Sequence, residues 1–120
     1  LENEEFASYM KNAISSHHTW LDNLKKMVNT RAIIPLQLDS SKCGFGHFYY
    51  AMTPDIPSVV PIWEGLGAKH RKFHTYGTAV INALNKGDYS ESERLYWEAE
   101  NYSRELIADM ERIVQLTTEN

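Results

Sequence analysis

The chain has 120 residues, 42% of them hydrophobic and 23% charged, which suits one soluble domain with a real core. Its net charge of −4, from 12 basic and 16 acidic residues, gives no indication of a nucleic-acid-binding surface. The single cysteine excludes an internal disulfide, and no apolar run approaches the roughly 20 residues that would predict membrane insertion.

The first half of the chain predicts one long and one short helix. Apolar side chains recur at helical spacing over residues 4–28. A connection follows, in which Asp39, Ser40 and Ser41 are possible helix caps for a short helix over residues 42–52. Prolines at positions 54, 57 and 61 predict irregular structure over residues 53–61.

The second half predicts two more long helices. Residues 63–86 have helical periodicity, and Gly87 is a plausible stop before a cap at Asp88 or Ser90. Residues 91–117 have the clearest helical period, and no segment alternates as a strand would. We therefore expect an all-α, four-helix bundle-like domain, with three long helices and a short one that bears the cysteine. The start at Leu1 suggests that residues 1–120 are a single domain cut from a longer protein.

Two histidines in the stretch HRKFH, His70 and His74, are four residues apart. On a helix this spacing places both imidazoles on one face, where they could hold one metal ion, although pairs with this spacing also occur by chance. The stretch lacks the glutamate that follows the first histidine in HExxH metalloproteases.

Earlier in the chain, His18 has the apolar residues Ile14 and Leu21 at helical spacing, which predicts that it faces the core, while His17 is expected in solvent. Taken alone, His18 is better explained as a core histidine that only packs.

Cys43 is the one soft donor, and zinc favours thiolate and imidazole ligands. A thiol whose pKa is lowered by nearby cations such as Lys42 or Lys69 is the redox-only alternative. Gly44 and Gly46 beside it also fit a simple role in close helix packing.

Taken in order, HTW at 18–20, CGFGHF at 43–48 and HRKFH at 70–74 resemble the chemoreceptor zinc-binding (CZB) domain of bacterial signalling proteins. The resemblance implies Zn²⁺ held by His18, Cys43, His70 and His74 in a compact all-α fold. It also implies a cytoplasmic sensory domain of a chemoreceptor or a diguanylate cyclase, homodimeric and acting on the output domain of its parent. Phe48 stands where the family commonly has Trp, and His47 adds a fifth possible ligand.

Trp20, Phe45, Gly46 and Phe48 are the expected packing residues around this site. One thiolate and three neutral imidazoles give a zinc site a net charge near +1, with Cys43 as its only oxidisable ligand. Oxidation, protonation or loss of zinc would then free Cys43 to move, which is a hypothesis for signalling.

Two other classes of function stay open at this point. A metal-dependent hydrolase needs an open metal position and a base, for which Glu64 and Glu98 are the candidates. Four protein ligands argue against it, since catalytic zinc usually has three, and no ExxH pair indicates a di-iron site. The third reading is a metal-free interaction bundle whose cysteine and histidines only pack.

Overall fold

A computed structural model describes residues 2–119, so Leu1 and Asn120 of the predicted 1–120 domain lie outside the described residues. It contains four helices, and the part of the chain it describes has no strand, which confirms the all-α prediction. The elements in chain order are α1 (Asn3–Thr30), α2 (Gly44–Ala51), α3 (Val60–Asn85) and α4 (Tyr89–Thr118).

Local chemistry explains where the two later helices begin and end. Helix α3 begins at Val60 and has Pro61 in its first turn, so the predicted irregular segment 53–61 extends two residues too far. Proline is tolerated there because the amide hydrogens of the first turn have no partner within the helix. Gly87 has φ +72°, and the Asp88 side chain accepts a hydrogen bond from the Glu91 amide, which caps α4.

Helix α4 organises the bundle, because it packs along both α1 and α3, whereas α1 and α3 touch each other over a short stretch. Helix α2 packs mainly on α1. None of the described helices is long and apolar enough to cross a membrane. The interior between the long helices is filled by fully buried side chains, among them Met10, Leu24, Met27, Leu66, Phe73, Leu106, Met110 and Ile113.

The start of α2 differs from the predicted cap. Cys43 itself is the N-cap, and its sulfur accepts a hydrogen bond from the Gly46 amide at 3.3 Å. Asp39 instead closes the preceding turn, accepting from the amide and the hydroxyl of Ser41 at 2.9 and 2.6 Å. A side chain at Gly46 would overlap the Ser40 carbonyl oxygen, because the turn lies directly against the helix. The glycine therefore permits the close approach that places Cys43.

We expect Gly46→Ala to destabilise the protein by about 1–3 kcal/mol, the usual cost of overpacking, because the new methyl group displaces the 40–41 backbone. The measurement is the free energy of unfolding in urea, followed by circular dichroism.

Gly65→Ala is the matched control, since Gly65 is exposed within α3 and nothing lies within 4 Å of an added Cβ. It should stabilise the protein by about 0.5–1 kcal/mol through helix propensity. Equal effects of the two substitutions would contradict the packing role of Gly46.

Candidate metal centre

Three donor atoms converge between α3 and the start of α2. Cys43 Sγ lies 3.2 Å from His70 Nε2, and His70 Nε2 lies 3.1 Å from His74 Nε2. All three atoms lie within 4.8 Å of one another. Ligands of one tetrahedral zinc ion, with bonds of about 2.0–2.3 Å, lie roughly 3.3–3.6 Å apart. The three atoms therefore need only small shifts to share one ion.

A backbone carbonyl in the loop before α2 orients the second histidine. The Gln37 oxygen accepts a hydrogen bond from Trp20 Nε1 at 2.8 Å and lies 3.1 Å from His74 Nδ1. With its proton on Nδ1, the His74 ring presents the Nε2 lone pair to the cluster. Metal-ligating histidines typically have their other ring nitrogen fixed in this way. Gln37 could not be found by sequence reasoning, because it contributes a backbone carbonyl, which any residue carries.

The predicted orientations of His17 and His18 are wrong. His17 is buried, with 6% of its surface exposed, and its ring packs on Phe73 with centroids 4.2 Å apart. His18 is exposed and faces a groove between α1 and α4. The buried side of α1 includes Ala13, His17 and Trp20. Of the two apolar neighbours used to orient His18, Leu21 is buried and Ile14 is only half-buried, so together they do not define the buried side. His18 thus lies outside the three-donor cluster.

A small cavity of about 30 Å³, close to the volume of one water molecule, joins His17 to the cluster. Cys43, His70 and His74 line it together with His17. His17 is therefore the third histidine at the cavity, beside His70 and His74. His17 and the predicted ligand His18 are neighbours in the HHTW stretch, and only His17 lines the cavity.

Of the three aromatic residues expected to pack around the site, Trp20 and Phe45 lie beside its histidines and Phe48 does not. The ring centroids of Trp20 and His74 lie 4.8 Å apart, and those of Phe45 and His70 lie 4.7 Å apart. Phe48 instead packs on the rings of Phe6, Tyr9 and Trp63 and does not line the cavity.

Phe73, which sequence reasoning did not assign to the site, lines the cavity and contacts the rings of His17 and Trp20. Its position between the two histidines of HRKFH was the available signal.

Burial keeps the site's imidazoles neutral. Burial, followed by repulsion from His18 and His74, lowers the pKa of His17 to about 3. Burial and the nearby imidazoles of His74 and His17 also lower the pKa of His70 to about 3. The pKa of His74 is lowered too, mainly by burial, although the hydrogen bond to Gln37 opposes that shift. Neutral imidazole is the form that binds metal.

Cys43 is a half-buried thiol, and burial raises its pKa, while the hydrogen bond from the Gly46 amide acts in the opposite direction. Neither Lys42 nor Lys69 contributes to this shift, so the cation-activated thiol considered from the sequence is not supported. Lys69 is paired across to Asp109 and Glu105 of α4, at 2.7 and 3.3 Å.

The remaining sequence candidates lie elsewhere. His47 is exposed on α2, and Glu98 pairs with Arg94 on the surface of α4. Over residues 2–119, no carboxylate joins the Cys43, His70 and His74 cluster. A set of thiolate and imidazole donors suits zinc chemically.

Comparison with known families agrees with this site. Residues 17–81, more than half of the chain, match the family described as the chemoreceptor zinc-binding domain (CZB). No curated protein and no solved structure gives a significant match. The matched segment begins at His17 and contains Cys43, His70 and His74. The chain therefore belongs to the chemoreceptor zinc-binding domain family, whose members are regulatory zinc-binding domains and not catalytic ones.

Proposed function

We propose that this chain is the zinc-binding sensory domain of a bacterial cytoplasmic signalling protein, with a chemoreceptor as the parent and a diguanylate cyclase as the alternative. The observation that carries the proposal is the convergence of Cys43, His70 and His74, joined to the family match. A domain of this kind acts by biasing an attached output domain, so its partner is the rest of its own parent protein.

The ligand set of the proposal is Cys43, His70, His74 and His17. Structural zinc sites are closed by four protein ligands, and His17 is the fourth donor-bearing side chain at the cavity. His17 replaces His18 in the set inferred from the sequence, because His18 faces the α1/α4 groove. A closed site leaves no open position for substrate, which argues for regulation over hydrolysis.

We expect the protein, purified without a histidine tag, to contain about one zinc per chain by elemental analysis. Cys43→Ala and His74→Ala should lose it, because each removes a donor atom. His17→Gln should weaken zinc binding by more than the ~10–100-fold typical of an outer-shell residue. A competition titration against a chromogenic chelator measures the affinity.

His18→Gln is the matched control, since it changes the neighbouring imidazole on the same helix. It should keep full zinc content and affinity. Zinc lost in His18→Gln but retained in His17→Gln would contradict the ligand set. If neither the unmodified protein nor any variant contained zinc, the metal-free interaction bundle would be the remaining interpretation.

Cys43 is the element of the site through which a signal enters in this proposal. It is the only thiolate of the set, it is half-buried, and it caps an eight-residue helix, not one of the long ones. With hydrogen peroxide as oxidant, the thiolate sulfur bonds one oxygen, the O–O bond breaks and hydroxide leaves, which converts Cys43 to a sulfenic acid. A sulfenic acid is a poorer zinc ligand than a thiolate, so α2 would be released from α3.

We expect hydrogen peroxide, added to the zinc-loaded protein in small excess, to release zinc as a single oxygen is added to Cys43. Zinc release is followed with the chelator, and the site of oxidation by mass spectrometry of peptides. Dithiothreitol should restore binding, because a sulfenic acid is reducible.

This switch would be overturned by zinc that remains bound after Cys43 is oxidised. Release that accompanies oxidation of methionine alone would overturn it as well.

A homodimer is the second part of the proposal, and the α1/α4 groove is its best-supported surface. The groove has a volume of about 880 Å³. A two-fold dimer needs a surface that complements itself, and this groove carries both signs of charge around an apolar floor. The charged residues lining it are Asp22, Glu100, Glu111, Lys25, Arg104 and Arg112.

We expect Ala108→Arg to convert the dimer to a monomer, because Ala108 is an exposed small residue within the groove. Sedimentation velocity over a range of concentrations gives the association state. Ala68→Arg is the matched control, an exposed alanine within α3 and outside this groove, and it should leave the dimer intact. A monomeric parent protein, or equal effects of the two substitutions, would contradict the proposed surface.

A further inference from the structure

One hydrogen bond links the cavity to the helix that supplies no candidate ligand. His17 Nε2 on α1 lies 2.6 Å from Ser103 Oγ on α4, and both residues are buried, with 6% and 4% of their surfaces exposed. At this distance the two atoms make a firm hydrogen bond.

Ser103 differs from the other buried serine and threonine of α4. Ser92 and Thr117 donate to carbonyl oxygens of their own helix, those of Tyr89 and Ile113, at 2.8 and 2.7 Å. The Ser103 hydroxyl instead contacts a ring on another helix. Its place in the core is therefore explained by the imidazole that it holds.

The bond to Ser103 determines which nitrogen of His17 is available. A neutral imidazole has two nitrogens, and Nε2 is engaged with Ser103. Within residues 2–119, Nδ1 of His17 has no hydrogen-bond partner. In the same residues, every side-chain nitrogen or oxygen that is fully shielded from solvent does have a hydrogen-bond partner, so Nδ1 is not fully shielded. Nδ1 therefore borders space that a water-sized group can enter, and the ring lines the cavity shared with Cys43, His70 and His74.

We propose that Ser103 is the positioning residue of the metal site: it holds His17 by Nε2, so that His17 binds zinc through Nδ1. The arrangement is the reverse of that at His74, where Nδ1 is fixed by the Gln37 carbonyl and Nε2 lies in the cluster. Both follow the general rule that a ligating histidine has its second nitrogen hydrogen-bonded by the protein. The inference rests on the proposed function, because it assumes that His17 is a ligand.

The first test is the affinity for Zn²⁺ of three variants in the full chain. Ser103→Ala should bind zinc about 10–100-fold more weakly, the usual effect of losing an outer-shell partner. Ser103→Thr keeps the hydroxyl and should recover most of the affinity. Ser92→Ala is the matched control, since it removes a buried serine from the same helix, outside the cavity, and should bind zinc as the unmodified protein does.

The second test identifies the ligating atoms directly. In protein loaded with ¹¹³Cd²⁺ and labelled with ¹⁵N-histidine, cadmium–nitrogen coupling should appear at Nδ1 of His17 and at Nε2 of His70 and His74. Ser103→Ala should weaken or remove only the His17 coupling. A purely structural role for Ser103 would leave this pattern unchanged.

Three outcomes would overturn the inference while leaving zinc binding intact. These are coupling at Nε2 of His17, tighter zinc binding in Ser103→Ala, and equal affinities of Ser103→Ala and Ser92→Ala. Tighter binding would mean that Ser103 competes with the metal for the ring. Failure of the proposed function is a different result, visible in the unmodified protein as a lack of bound metal, and it would overturn this inference too.

Discussion

The arrangement of the site depends on one carbonyl oxygen, that of Gln37. It accepts a hydrogen bond from Trp20 on α1 and contacts the Nδ1 atom of His74 on α3, so it fastens the loop between α1 and α2 to both helices at once. The loop then turns at Asp39, which places Cys43 beside His70. The Gln37 carbonyl thus provides the hydrogen-bond acceptor for two buried N–H groups, and it also positions the loop that carries the Cys43 thiol.

The helices and the shared face of His70 and His74 could be predicted from spacing, whereas Cys43 joined the predicted ligand set through the resemblance to the zinc-binding family. Helical periodicity identifies buried stripes, and two histidines four residues apart must share a face. The choice between His17 and His18 could not be made in this way. Both have apolar residues within one turn, and the partner of the buried His17 ring is a hydroxyl 86 residues away. Contacts of that range leave no local pattern.

The cap of α2 illustrates the same limit. The stretch before the helix contains Asp39, Ser40 and Ser41, all of which are ordinary capping residues, yet the sulfur of Cys43 takes that position. Asp39 is used in the turn instead, and the turn can approach the helix only because residue 46 has no side chain. Capping preference describes an isolated helix end, whereas here the end is defined by what it packs against.

Neighbouring residues of an α-helix point about 100° apart, and His17 and His18 use that angle to face two different environments. One ring lies at the cavity of the metal site, and the other lies in the groove between α1 and α4. A small roll of α1 about its own axis would displace both rings together. Rotation of α1 can therefore transmit a change at the cavity to the outer surface of the bundle without any relay of side chains.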